Sequence, residues 1–389
     1  MTRPVISAGF IPLVDAAPLI VAHEMGFTEE EGIRLALEPS PSWSTLRDKL
    51  TLGQIEAAHM LSPVPVAMAL GLGGIGDRID ALSVLSVNGN VFGVTEALAD
   101  AMIATGFTPD FATPEAVGDA LAASGLDLRI GVPFPFSMHT ELLHRWLGTG
   151  PNAAQLTVHT VPPPLMAEAI KKGEINAFCV GEPWGSTIVD AGLGALLLPG
   201  RAIWAFAPEK VLAARHDWVE AQPDLTGRLM RAVWKAGRWL GDTDKLGPAA
   251  DILARPEYLG LPSGLIERSL TGRMVIAPDG PARRVENMIT FFDGAATFPW
   301  KSQAAWIGRQ LAARYGLNPH EAASKAADVF RSDLYRLHLG PAGADMPGAS
   351  EKLEGALSVE TPVASESGTL ILGPDQFFDG QIFDPSLGK

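Results

Sequence analysis

One cysteine, eight histidines and a Gly-Glu-Pro-Trp turn are the features of this 389-residue chain that could do chemistry. Cys179 could act as a nucleophile if folding brought a histidine beside it. It sits, however, in the apolar run Ala177-Phe178-Cys179-Val180, where a cysteine serves as a small buried hydrophobe. His23, His59, His144, His159, His216, His320 and His338 are scattered, with no metal-ligand spacing. No GxSxG elbow, HExxH helix or cysteine pair is present. Gly71-Leu72-Gly73-Gly74 is not a phosphate loop, because it follows a helical pattern and lacks the Lys-Ser/Thr step. The chain therefore reads as a non-enzyme, without metal or cofactor. The turn Gly181-Glu182-Pro183-Trp184 is different. It closes an apolar run over 175–180, and in an open α/β sheet the carboxyl end of a strand faces the ligand crevice. The turn is expected at a binding cleft.

The elements around that turn are legible. Pro162, Pro163 and Pro164 end one segment and open a helix, because proline's missing N–H is no loss in a first helical turn. Leu165, Met166, Ala169 and Ile170 recur at helical spacing, and Lys171, Lys172 and Gly173 close the helix. Upstream, strands are predicted over 5–10, 33–38, 55–61 and 81–87. Helices are predicted over 15–25, 44–52 and 63–70, with Asp15 as an N-cap and a loop over 71–76. After Asn88-Gly89-Asn90 a second series begins. It has helices over 95–105, 113–124 and 139–147, and strands over 128–133, 156–161, 175–180 and 193–198. Beyond Pro208 the pattern is helical: 211–221, 225–240, 247–254, 265–269, 304–315 and 321–336. Residues 341–373, rich in Gly, Pro, Ser and Ala, read as a surface excursion or a loose tail. The aromatic 377–385 is expected to dock back. Two α/β series joined by few crossings predict two lobes around a cleft: 1–94 with 202–389, and an inserted 95–201.

Composition narrows the function. Hydrophobic residues make up 47% and charged residues 19%, as in a globular chain. A net charge of −14 argues against direct nucleic-acid binding over a wide surface. No apolar run approaches the ~18 residues of a membrane helix, so no membrane insertion is expected. A single cysteine allows no disulfide within the chain. Met1-Thr2-Arg3-Pro4 runs directly into a strand-like segment with no charged-then-apolar leader, which leads us to expect a cytoplasmic location, or a periplasmic one if a leader has been removed.

Several stretches then carry a resemblance. GFIPLVDAAPLIVAHEMGF, SWSTLRDKL, AAHMLSPVPVAM, SVNGN, the VPPP segment with AFCVGEPW, APEKVLAARHDWVEAQP and the terminal FFDGQIFDP lie in order across nearly the whole chain. Together they resemble the nitrate- and bicarbonate-binding proteins of bacterial ABC importers. The resemblance implies an α/β fold of the periplasmic-binding-protein type II class, a bilobal C-clamp holding a small oxyanion between its lobes.

The resemblance also implies site residues. Trp43 corresponds to a tryptophan whose indole N–H faces the anion, although Ser44 stands where the family usually has glycine. Asn90 falls where nitrate binders carry glutamine, and His139 aligns with a ligand histidine. Lys210 aligns with the lysine that balances the anion's charge. The bicarbonate branch instead places an acidic residue near that position and uses calcium, so Lys210 favours nitrate or nitrite without metal. Gly89, Gly181, Glu182 and Trp184 are expected as cleft wall and hinge. The chemistry fits: nitrate offers only acceptors, and Trp and Lys offer only donors. Two partners are possible. An importer receptor would hand its anion to an ABC permease. A cytoplasmic nitrate sensor of this fold would instead hold and release an ANTAR-type antiterminator, which would be the RNA-binding protein. The absence of a leader pattern favours the sensor.

Overall fold

The stretch Pro208–Arg215 is a strand, where the sequence predicts a helix over 211–221. Glu, Lys, Leu and Ala are strong helix formers, so local preference points the wrong way. Every residue from Pro208 to Ala214 is buried, and strands flank it on both sides. Tertiary pairing overrides propensity here.

The structure, a computed structural model, describes residues 3–74, 78–148, 153 and 156–387. Residues 75 and 76 of the loop expected over 71–76 lie outside the described residues. The strands used below are β1 (Val5–Phe10), β2 (Arg34–Pro39), β3 (Ala57–Leu61), β4 (Ile79–Asn88), β5 (Asn90–Thr95), β6 (Leu128–Val132), β7 (Leu156–Thr160), β8 (Ala177–Gly181), β9 (Gly194–Pro199) and β10 (Pro208–Arg215). The first sheet runs in the order Ile289–Thr290, β4, β10, β3, β1, β2. β1 is parallel to β2 and β3, while β10 is antiparallel to β3 and β4. The second sheet runs β7, β6, β8, β5, β9, with β5 antiparallel to its two neighbours. Helices pack against both sheets, giving the two-lobed α/β architecture expected of the periplasmic-binding class.

The chain crosses between sheets at Gly89, whose φ of +102° is open to glycine and strained for other residues. Asn88 ends β4 in one sheet and Asn90 starts β5 in the other. The boundary expected after residue 94 therefore falls at the far end of β5, because that strand pairs with the second sheet. The C-terminal segment is also not confined to the first lobe. Met274, Ile276 and Val285 join the core around Val91, Phe178 and Leu196, and Leu196 N–H donates to the Ile276 carbonyl at 2.8 Å.

Residues 341–373 are tied down rather than loose. Lys352 pairs with Glu354 and Asp375, and Thr361–Pro362 pairs with Ile371–Leu372. The aromatic terminus docks as expected: Phe377 is buried against Trp204 and Trp306. The helix predicted over 321–336 is two helices, Pro319–Ala327 and Ser332–Leu339.

Candidate functional site

Lys210 sits on β10 opposite Leu61 of β3 and beside Ser86 of β4. That places it at the carboxyl ends of β3 and β4, the edge where α/β sheets bind ligands. Its ammonium is fully buried, with Nζ 2.7 Å from Asp15 Oδ2 and 2.9 Å from Glu209 Oε1. His59 Nε2 lies 2.8 Å from Asp15 Oδ1, and His139 Nδ1 lies 3.1 Å from Glu209 Oε1. Asn90 Nδ2 donates to Glu209 Oε2 at 2.8 Å. Trp43 covers the group, its ring centroid 5.5 Å from Lys210 Nζ and 5.4 Å from the His59 ring. The four side chains expected at the ligand are thus gathered in one place, drawn from both lobes.

Two helix starts deliver the aromatic donors. Ser42 caps the helix Trp43–Thr51 by accepting the Thr45 N–H, and Trp43 is its first residue. Ser137 caps the helix Met138–Leu147 by accepting the Thr140 N–H, and His139 is its second residue. Helix N-termini carry partial positive charge and unpaired N–H groups, so their convergence from opposite lobes favours an anion. Trp43 Nε1 and His139 Nε2 are buried with no hydrogen-bond partner among the described residues. A recess of about 450 Å³ lined by Leu240, Arg273, Arg284 and Asp293 shares no residue with this cluster.

Lys210 is not a cleft-facing free charge, because a buried ammonium needs opposite charges around it and here it has two. Burial alone would lower the Lys210 pKa, but Asp15 and Glu209 outweigh it and raise the value. Burial pushes the Asp15 carboxyl up; Lys210 and His59 overcome that and hold it down at about 2. Glu209 goes the other way: burial dominates the pull of Lys210 and lifts it to about 7. Burial lowers both imidazoles, His139 furthest, with Lys210 adding to the effect. Ile11 N–H donates to His59 Nδ1 at 3.5 Å, so the neutral ring carries its proton on Nε2, toward Asp15.

The wall residues are placed as follows. Gly181 ends β8, and a Cβ there would lie 3.1 Å from Leu13 Cδ2 and 3.6 Å from Asp15 Oδ2. Trp184 Nε1 donates to the Pro12 carbonyl at 2.9 Å, and Val14 N–H donates to the Glu182 carbonyl at 3.0 Å. These bonds join the lobes. The Glu182 side chain points away from the Lys210 cluster, accepting from Ser269 Oγ on the helix Ser263–Thr271 and from the Ser186 N–H. Cys179 is buried on β8, and burial pushes its thiol well up, as in a packing residue.

Sequence reasoning missed Asp15, His59 and Glu209. Asp15 was expected as an N-cap; it lies in the short 3-10 turn Val14–Ala16 and makes no cap, turning inward to Lys210. A signal existed, since both Asp15 and the pair Glu209-Lys210 interrupt otherwise apolar runs. A second acidic group, Asp80 with His216 and Glu220, could geometrically hold a metal. Arg331 Nη1 already lies 2.6 Å from Asp80 and 3.2 Å from Glu220, so a guanidinium fills that role at the opposite end of β4.

The two-lobed α/β fold, with a donor cluster enclosed at its strand ends, is that of the bilobal solute-binding proteins. The chain belongs to the NMT1-like family, whose model matches residues 3–254. It is 30% identical over 98% of its length to the nitrate/nitrite binding protein NrtA of Synechococcus elongatus, of which it covers 83%. It is 32% identical, over 80% of its length, to the nitrate import ATP-binding protein NrtC of Synechocystis, of which it spans only 46%. Among solved structures, the periplasmic nitrate-binding protein NrtA from Synechocystis superposes with a TM-score of 0.83 at 26% identity, covering 98% of this chain and 95% of that one.

Proposed function

We propose that this protein is the substrate-binding component of an ABC importer for nitrate or nitrite and holds the anion between its lobes. The observation that carries the reading is the enclosed cluster, in which the Trp43 and His139 ring nitrogens without protein partners stand beside Lys210 and Asn90. Buried donors without partners are costly, and an oxyanion with acceptors only would satisfy them. The relatives named above as nitrate binders or nitrate-import components support an importer and a periplasmic location. They replace the cytoplasmic sensor and its ANTAR-type antiterminator as our first reading, and an ABC permease becomes the expected partner.

Calorimetric titration tests the ligand. Nitrate or nitrite should bind and raise the melting temperature, while sulfate, a dianion facing Asp15 and Glu209, should not. Calcium should be unnecessary. Bicarbonate binding that depends on calcium would move the chain to the other branch of its family. Fractionation of the native cell tests the location: protein retained wholly in the cytoplasm would restore the sensor.

A further inference from the structure

The donor cluster carries more negative charge than an anion site should. Lys210 contributes one positive charge. Asp15 is held ionised, and His59 and His139 are both held neutral by burial. With Glu209 ionised the cluster is net negative; with Glu209 neutral it is balanced. We propose that Glu209 takes up a proton from solvent when the oxyanion binds, so that the cleft closes on an anion and a proton together. This rests on the reading that the cleft binds a small oxyanion.

Geometry puts the proton on Glu209. Among the described residues, these groups face its carboxyl. Lys210 follows it on β10, with Asp15 reaching the same ammonium from the turn Val14–Ala16 and His59 behind it on β3. His139 faces it from the helix Met138–Leu147, Asn90 donates from β5, and the protonated thiol of Cys179 lies nearby on β8. Asp15 is tied to two partners, Lys210 and His59, and gives up its charge least readily. Glu209 shares the same ammonium without a second charged partner among the described residues, and burial already lifts it to about 7. An anion brought alongside disfavours the ionised carboxylate further. Nitrate is the base of a strong acid and cannot carry the proton itself. No bond to the ligand changes: one solvent proton converts a carboxylate to a carboxylic acid. Protonated on Oε1, Glu209 can donate to His139 Nδ1, 3.1 Å away, which fixes the ring's own proton on Nε2, the atom with no protein partner.

Binding and protonation are then linked, each strengthening the other. The sign follows from the two states. Below about pH 7 the free site is already protonated and affinity is flat; above it, affinity falls about tenfold per pH unit, because each molecule bound must take a proton from an ever scarcer supply. The test is calorimetric titration of the full chain with sodium nitrate in two buffers of different ionisation enthalpy, from about pH 6 to 9. Uptake close to one proton per nitrate at about pH 8, with the affinity profile above, is the expected result. Glu209→Gln, which mimics the neutral acid, should lose both the proton uptake and the pH slope, whatever its affinity at about pH 6. Nitrate binding with constant affinity and no proton exchange would overturn the proposal while leaving the anion site standing. Proton uptake that persists in Glu209→Gln would overturn it in favour of His139. No nitrate binding at any pH would remove the anion site itself and this proposal with it. If Glu209→Gln does not fold, the proton count of the unmodified protein decides.

Discussion

Lys210 Nζ lies 2.7 Å from Asp15 Oδ2, and neither side chain has any exposure to solvent. The lysine comes from the strand that re-enters the first lobe, and the aspartate from the turn after the first strand. An ion pair so deeply placed is part of the lobe's architecture as well as of its site.

Lys210→Ala should therefore unfold more easily, not merely bind less. Removing one partner of a buried pair strands the other, here two carboxylates, at a cost of about 3–5 kcal/mol. Lys210→Glu should be worse still. Urea denaturation of the variants, beside the triple variant Lys210→Met, Asp15→Asn, Glu209→Gln, separates the two roles. The triple variant should recover most of the stability and none of the nitrate binding. A Lys210→Ala protein as stable as the parent would contradict the burial seen here.

Arg314 and Glu141 clasp the two lobes. The guanidinium reaches both carboxylate oxygens, at 2.9 and 2.5 Å, from the helix Lys301–Tyr315 to the helix Met138–Leu147. Arg314→Ala should weaken nitrate several-fold by loosening the closed arrangement without touching the ligand. Titration calorimetry checks this, with circular dichroism to confirm folding.

Burial, opposed by Arg314, raises Glu141 from 4.5 to about 7. The folded state then holds a proton that the unfolded state has released, so stability falls as pH rises through that window. Glu209 acts in the same direction. The melting temperature should drop between about pH 5 and 7.5, and Glu141→Gln should remove part of that slope. A melting temperature that climbs over the same range would contradict both assignments.

Gly200 lies against the Asn90 amide, where an added Cβ would stand 1.7 Å from Oδ1. Gly200→Ala should push Asn90 off Glu209 and lower stability by the about 1.5–3 kcal/mol of a hydrogen bond to a charged group, read by urea denaturation. Asn90→Ala should do the same. Equal stability in Gly200→Ala would mean that the amide has room to move.

Cys179→Ser should keep its nitrate response within a few-fold, since the thiol packs and does not react. It should lose about 1–3 kcal/mol of stability for burying a hydroxyl. Native protein should resist thiol reagents that modify the denatured chain.

The sequence by itself determined the class of fold and the doubling of its lobes, and it pointed to four residues that the structure brings together. Strand and helix periodicity survive translation into structure wherever local preference and burial agree, as in the helices opened by Ser42 and Ser137. The ordered resemblance supplied Trp43, Asn90, His139 and Lys210, whose placement depends on elements that could be read directly or on family motifs. What only the tertiary structure decided is the electrostatic company they keep. Helix-forming residues over 208–215 became a central strand because both flanking strands were waiting to pair with it. That strand carries Glu209 into the site, and the turn after β1 brings Asp15 beside Lys210 from almost two hundred residues away in sequence. Charge balance in a cleft is a sum over neighbours in space, and no spacing along the chain records it.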